Sequence, residues 1–368
     1  MAMFQDDDDY LGSGKDPGGF GEYVPEEGAP EGFIARGRGV HRRPVLKSYD
    51  YVLLNTSSGK DSQEMMRVAV EEAKRQGAFD RLIAVHCDLG RCEWAGSKEL
   101  AEEQALHYGL PFRVVVKERD ILENALYKYH EHHSPEGLAR YKAKGKKPPP
   151  EWPSQAYRWC TSEHKTAQVD KLMTKLKVGS RREGKRVIRF LNVLGLRAQE
   201  SDNRGACKTC HNAQTREELK GSARTSKKWI PRSECWVCGG TGDRAELYHG
   251  DHNTERWVDE WLPVLGRTED EIWKGILDSG VPHHTAYDLG MPRLSCCFCI
   301  FAPKSALVLA GHYNKKLLKE YVAVEKEVHR TFLQTFSLAE ILEEVEHGAP
   351  LEEIRAKVMA QGSKCYLD

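Results

Sequence analysis

Tyr51-Val-Leu-Leu-Asn-Thr-Ser-Ser-Gly-Lys-Asp-Ser62 is an apolar run that breaks into small polar residues and then opens a helical pattern. It predicts a buried strand over 51–55, a turn through Ser57–Ser62 and a helix over about 61–76. A buried strand that ends in small residues and opens a helix leaves backbone N–H groups aimed at whatever sits above the turn. An anion is favoured there, because the unpaired N–H groups and the helix dipole both attract negative charge. The hydroxyls of Ser57, Ser58 and Ser62 add donors, Gly59 allows close approach of the backbone, and Lys60 can offset phosphate charge. Asp61 falls in the first helical turn, where an acid either complements the dipole or organises Mg2+ and the loop around a triphosphate. The spacing is not that of the Walker loop, which has a further glycine upstream of its Lys-Ser/Thr.

Working outward, strands and helices alternate. Arg81-Leu-Ile-Ala-Val-His86 predicts a second strand, 97–109 a helix, and Phe112-Arg-Val-Val-Val116 a third strand. Residues 134–153 read as a Lys- and Pro-rich loop, a helix over about 161–177 follows Cys160, and Arg186–Leu194 is another strand. That order predicts an α/β fold with a parallel sheet and crossover helices, and ligands binding beyond the carboxyl ends of the strands. The Ser57 loop and Asp88-Leu-Gly90 both lie at such ends. Periodicity is lost from 203 to about 250, and the remainder from Trp257 reads as mostly helical, with amphipathic segments near 268–279, 304–333, 337–347 and 350–361. The expected organisation is an arm over 1–45, a nucleotide-binding α/β domain over 46–202, a Cys-rich insertion over 203–250, a segment over 251–304 that completes the first domain, and a helical region over 305–368.

The chain has 368 residues, enough for a sizeable core, and its 55 basic and 55 acidic residues cancel. There is no global field to attract nucleic acid, so local clusters decide. No apolar run is long enough to span a membrane, and Asp6–Asp9 stands where a signal peptide would be basic; the expectation is a cytoplasmic protein. In that compartment 11 cysteines imply metal binding or redox chemistry rather than disulfides. Cys207-Lys-Thr-Cys210 and Cys235-Trp-Val-Cys238 have the spacing of two knuckles that deliver four thiolates to tetrahedral Zn2+; the alternative is that this quartet holds iron. Arg216, Lys220, Arg224, Lys227, Lys228 and Arg232, interleaved with Trp229 and Trp236, either contact nucleic acid through phosphate and stacking or form a solvated face. Gly195-Leu-Arg197-Ala-Gln-Glu200-Ser201-Asp-Asn-Arg204 follows a strand with two arginines and a glutamate, which supplies forked donors for phosphate or sulfate held in place by the acid. His130, His132 and His133 lie in a polar segment and are expected to be solvated.

The Ser57–Ser62 loop resembles the SGGxDS loop of the PP-loop ATP pyrophosphatases, with Ser58 in place of a glycine. The Gly195–Ser201 segment resembles the Gly-x-Arg-x-x-Glu-Ser segment of the PAPS reductase-like branch of that superfamily (the adenine nucleotide alpha hydrolases). Trp261–Trp273, Gly280-Val-Pro, Tyr287, Gly290, Arg293 and Cys296-Cys-Phe-Cys299 follow in the order that branch shows, so the resemblance runs from about 51 to 304. It implies ATP with Mg2+ as cofactors and places nucleotide beside Asp88. It also implies that Arg158-Trp-Cys160 and the later cysteines meet near the nucleotide, where Cys160, Cys296 and Cys299 would hold a [4Fe-4S] cluster, with Cys297 as a fourth candidate. A structural zinc or free thiols are the alternative for these residues.

The family closest in style is the ATP pyrophosphatase component of DNA phosphorothioation. That implies an enzyme that adenylates a target, releases pyrophosphate and enables sulfur insertion into nucleic acid, DNA in particular. A cysteine desulfurase would be the sulfur donor, with other components of a modification complex as partners. Two other functions are consistent with the sequence. One is a phosphosulfate reductase using Cys365 near the end of the chain as nucleophile. The other is a nucleotide-dependent nucleic-acid-binding module without turnover, whose working part is the zinc ribbon.

Overall fold

The computed structural model describes residues 43–181, 187–200, 202–206, 244, 246–252 and 255–361. Ser201, the quartet Cys207, Cys210, Cys235 and Cys238, the basic residues between them, Cys365 and nearly all of the N-terminal arm lie outside the described residues.

Strand β1 (Tyr51–Thr56) is followed by helix α1 (Lys60–Gln76), β2 (Leu82–Asp88), α2 (Ser97–His107) and β3 (Phe112–Val116). Helices α3 (Ile121–His133), α4 (Pro135–Ala143), α5 (Trp159–Thr161) and α6 (Ala167–Arg181) then lead to β4 (Ile188–Leu194). A short α7 (Asp202–Gly205) precedes β5 (Leu247–His252) and β6 (Arg256–Trp261), and the chain ends in α8 (Glu269–Ser279), α9 (Lys304–Tyr313), α10 (Lys315–Glu327), α11 (Leu338–His347) and α12 (Leu351–Gln361). The sheet order is β3-β2-β1-β4-β6-β5. Five strands run parallel, and β5 pairs antiparallel at one edge.

The run Val52-Leu53-Leu54 is wholly buried because β1 lies at the centre, covered on both faces. Leu54 faces the core beneath α1, with Met65, Met66, Ala69 and Val70, while Leu53 joins Phe190, Val169 and Met173 on the opposite face. The chain winds from β1 outward to β3 and then returns to place β4 on the other side of β1. The strand order therefore reverses between β1 and β4, and this is the crevice where an open α/β sheet binds its ligand. The Ser57 loop leaves β1 at that crevice and Gly195 leaves β4 beside it. A Cβ on Gly195 would come 2.6 Å from the Asp61 carbonyl oxygen and 2.7 Å from Ser62 Cα, so only glycine lets β4 end this close to the first turn of α1.

Several sequence expectations are corrected. Residues 134–153 are not all loop, because Ser134 caps Gly137 N–H and Pro135 starts α4 at the position where its missing donor costs nothing. The helix after Cys160 is interrupted by a π-helical turn, Ser162–Thr166. The segment near 304–333 is two helices that meet at Asn314. Strands β5 and β6 were not anticipated, since Arg-Trp-Val-Asp-Glu-Trp carries charges at sites where a core strand is usually apolar; Asp259 is buried and accepts a 2.8 Å hydrogen bond from the Tyr49 hydroxyl. Of the three histidines, His130 and His133 are exposed, but His132 is buried.

Candidate functional site at the strand switch point

Gly59 is the N-cap of α1 and has no side chain to cap the helix, although Thr56 Oγ1 accepts from Ser58 N–H at 3.2 Å. The serines hold the loop together from within. Ser62 Oγ accepts from Ser57 N–H at 3.1 Å and donates to Gly59 O at 2.9 Å, while Ser58 Oγ donates to Ser57 O at 2.6 Å. Ser58 is wholly buried with φ +56°, the left-handed region that favours the glycine of the family loop. Lys60 turns under the loop instead of over it. Its side chain is 1% exposed, and its ammonium donates to Pro292 O at 3.1 Å and lies 3.6 Å from Asp61 and 3.5 Å from Glu269. The N–H of Lys60 donates to Tyr287 Oη at 2.8 Å, and Leu294 Cβ packs at 3.5 Å from the place of a Gly59 Cβ. Through these contacts the loop is fixed to the segment that leads into Cys296.

Asp61 and Arg197 join the first turn of α1 to the segment that follows β4. The Arg197 Nε donates to Asp61 Oδ1, and Arg197 is 1% exposed. Arg197 N–H also donates to Glu200 Oε2 at 3.3 Å, and its guanidinium to Gln199 Oε1 at 2.8 Å. Glu200 in turn pairs with Arg204 and, at 3.0 Å, with Arg293. Burial works to raise the Glu200 carboxyl, but Arg204, Arg293 and the Arg197 N–H outweigh it and hold its pKa below the ordinary value. Three arginines thus share two carboxylates beside the cradle, a net positive cluster with forked donors suited to phosphate or sulfate oxygens. Arg293 and Tyr287 were visible in the sequence only as members of a motif, without a role. Asp88, at the end of β2, accepts from Gly90 N–H at 2.7 Å and so holds its own turn.

The cysteines divide into two sets. Glu93 and Cys296 form an isolated antiparallel bridge, and Cys297 N–H donates to Cys92 O at 2.9 Å. Neighbouring residues of an extended segment point to opposite sides, so Cys296 and Cys297 separate. Burial pushes the Cys296 thiol well up, Lys165 opposes this, and the nearby Cys299 and Cys160 add to it. Burial, then Cys299, likewise raises Cys160. Cys297 answers to other neighbours: burial, Cys92 and Glu93 push it up to about 12. It packs in the apolar core with Cys92, Phe298 and Tyr321. Cys160, Cys296 and Cys299 are therefore brought together, and Cys297 is turned away from them.

Lys165, on the π-helical turn, lies among the three thiols; burial lowers its pKa, but Cys296, Cys87, Glu93 and Cys299 raise it above the ordinary value. Nothing in the sequence marked Lys165. Among the described residues no group of three or more His, Cys, Asp or Glu is gathered to hold a single metal ion. A cluster of four irons spreads its thiolate ligands farther apart than one ion does, and three partly exposed thiols within electrostatic reach of one another fit that donor chemistry.

No family model matches the chain. Over 74 residues it is 27% identical to adenosine 5'-phosphosulfate reductase of Neisseria meningitidis, covering 19% of this chain and 30% of that protein. The chain thus spans about a third of the length of the curated relative it matches. Among solved structures it is similar to phosphoadenylyl-sulfate reductase from Candida auris in a phosphate complex, with 12% identity, a TM-score of 0.33, and 68% of this chain and 86% of that chain covered. FMN adenylyltransferase of Candida glabrata, in complex with FMN and an ATP analogue, gives 12% identity and a TM-score of 0.33 over 67% of this chain and 55% of that one. The U34-tRNA thiolase of Methanococcus maripaludis with its [4Fe-4S] cluster gives 14% identity and a TM-score of 0.31 over 81% of this chain and 74% of that one. The local similarity to the phosphosulfate reductase, together with the loop, the arginine segment and the cysteine motif in the same order, supports a PAPS reductase-like member of the PP-loop superfamily.

Proposed function

We propose that this protein binds ATP at the switch point, cleaves it between the α and β phosphates, and couples the resulting adenylation to sulfur transfer, with nucleic acid as the acceptor. The observation that carries this reading is the pairing of Asp61 with Arg197 across the crevice, with Arg293 and Arg204 beside it and the cysteine motif attached through Lys60 and Tyr287. The triphosphate would lie on the first turn of α1, its charge met by the helix N-terminus and the arginines. Asp61 orients Arg197 and offers its carboxylate to a magnesium ion, and Glu200 keeps Arg204 and Arg293 aimed at the departing pyrophosphate. Adenylation turns a poor leaving oxygen into AMP, a good one. Cys160, Cys296 and Cys299 would hold a [4Fe-4S] cluster, which supplies an open iron on which sulfur can be held. A cysteine desulfurase supplies the sulfur, and the work is done with other components of a modification complex in the cytoplasm. The Cys207–Cys238 quartet would take Zn2+.

Release of AMP and pyrophosphate from ATP by anaerobically purified protein, with and without DNA, tests the reading. Asp61→Ala removes the only carboxylate hydrogen-bonded to the buried Arg197 guanidinium among the described contacts, which costs about 3–5 kcal/mol of stability as well as activity. Asp61→Asn keeps an acceptor and separates the two effects: folded protein with cleavage lost is expected, and retained cleavage sinks the assignment. The similarity to a phosphosulfate reductase favours one second reading, reduction of an adenylylated sulfate with Cys365 as nucleophile. Sulfite release that Cys365→Ser abolishes is its test.

A further inference from the structure

We infer that the basic turn at the end of α4, Lys142 to Lys147, is a docking surface for the phosphate backbone of nucleic acid; this rests on the nucleic-acid reading above. Between Glu136 and Glu151 the chain carries Arg140, Lys142, Lys144, Lys146 and Lys147 and no acid, in a protein whose 55 basic and 55 acidic residues cancel overall. All five are exposed.

Lys304, Lys274, Lys315 and Lys319 are paired with Glu344, Asp278 and Glu346, and the exposed lysines elsewhere that have no ion pair among the described residues, such as Lys47, Lys175 and Lys357, stand singly, whereas here four lie within six residues. Arg140 pairs with Glu131 at 3.0 Å, and no carboxylate of the described residues lies within ion-pair distance of the four lysines. Arg140 and Lys142 stand in the last helical turn, where a cation complements the dipole. Lys144, Lys146 and Lys147 lie past it, so the dipole does not account for them.

Backbone hydrogen bonds close the turn. The N–H groups of Lys144 and Lys146 both donate to Tyr141 O, Gly145 N–H donates to Lys142 O, and Gly145 takes φ +59°. Pro148–Pro150 then leads to Trp152, which is buried against Tyr321 and Phe332 in the core that also holds Cys92 and Cys297. The cations are therefore presented from the helical layer that carries the cysteines, at reduced entropic cost on binding.

Composition separates nucleic acid from an acidic protein as the occupant. Protein interfaces are enriched in aromatics and Arg and depleted in Lys, whereas a lysine is a point charge that meets phosphate with release of counterions.

The test is binding of a labelled duplex DNA of arbitrary sequence to the full chain, followed by anisotropy against salt concentration. The Lys142→Gln, Lys144→Gln, Lys146→Gln, Lys147→Gln variant is expected to lower the slope of log K against log salt by about 3–4 and the affinity by roughly 100-fold or more at low salt. Its ATP cleavage without DNA should equal that of the wild type, and its thermal midpoint should fall by no more than the small loss expected from removing the Lys142 charge at the helix end. Lys315→Gln, Lys319→Gln, at paired sites, should change neither slope nor affinity. If the wild type binds DNA and the quadruple variant keeps the full slope, the surface is overturned while the nucleic-acid reading stands. If the wild type binds no DNA, both fall. Binding of poly-glutamate as tight as that of DNA overturns the phosphate assignment in favour of an acidic protein.

Discussion

Ser58 occupies a left-handed conformation that costs an L-residue about 1–2 kcal/mol, part of which its 2.6 Å hydrogen bond to Ser57 O offsets. Ser58→Gly removes that strain but gains unfolded-state entropy, so a net stabilisation of about 0.5–1 kcal/mol is expected in urea unfolding. Ser58→Val cannot adopt φ +56° without clash and should lose about 2 kcal/mol or more. Equal stability of the two variants would show that the loop relaxes. At Glu163, burial acts to raise the carboxyl, but hydrogen bonds from Lys117, Lys128 and Asn124 prevail and lower it from 4.5 to about 2. The folded value is depressed, so this carboxylate stabilises the protein above pH 4.5 and the contribution is lost as pH falls toward about 2. The side chain is 30% exposed, so solvent screening reduces the full linkage of about 3 kcal/mol to roughly 1–2 kcal/mol. Glu163→Gln should flatten the acid limb of the stability–pH curve by that amount between pH 4.5 and about 2, as read from urea midpoints.

At the scale of elements, the approach of β4 to α1 depends on one missing methyl group. Gly195→Ala places a Cβ 2.6–2.7 Å from the backbone of Asp61 and Ser62, neither of which is a flexible side-chain end. The first turn of α1 must shift, with an expected loss of about 2–3 kcal/mol and a larger loss of ATP binding, measurable by calorimetry. Wild-type affinity in this variant would mean that the cradle does not bind the nucleotide.

Elements with a strong period were legible in advance: α1, α2, β1 and β3 begin within a residue or two of expectation, because burial of one face or of both imposes the pattern. Helix α4 was hidden by lysines and prolines, although Ser134-Pro135 is a start signal. Strand β6 was hidden by Asp259, whose burial is made tolerable by the Tyr49 hydroxyl from far away in the chain. A partner at such separation leaves no local trace.

At the scale of the molecule, the cysteine pocket draws on Cys160 after α4 and on Cys296 and Cys299 between α8 and α9. If the proposed cluster is bound, Cys160→Ser, Cys296→Ser and Cys299→Ser should each lose most of the iron and the visible absorption of anaerobic protein, whereas Cys297→Ser should retain both; wild-type protein without iron overturns the cluster. Loss of iron in Cys297→Ser alone would reverse the division drawn from the Glu93–Cys296 bridge. Spacing could not have made that division, since Cys296 and Cys297 are adjacent and both stand near Cys299 in sequence.

The sequence by itself determined the strand–loop–helix opening, the alternation that yields a parallel sheet, and the inventory of arginines, acids and thiols, because these follow from local periodicity and residue chemistry. Tertiary structure alone decided that Lys60 is tied beneath the loop, that Arg197 meets Asp61 across the reversal of strand order, and that Cys297 belongs to the core. Each of those depends on contacts between segments remote in sequence, and such contacts are fixed by how the sheet and its helices pack.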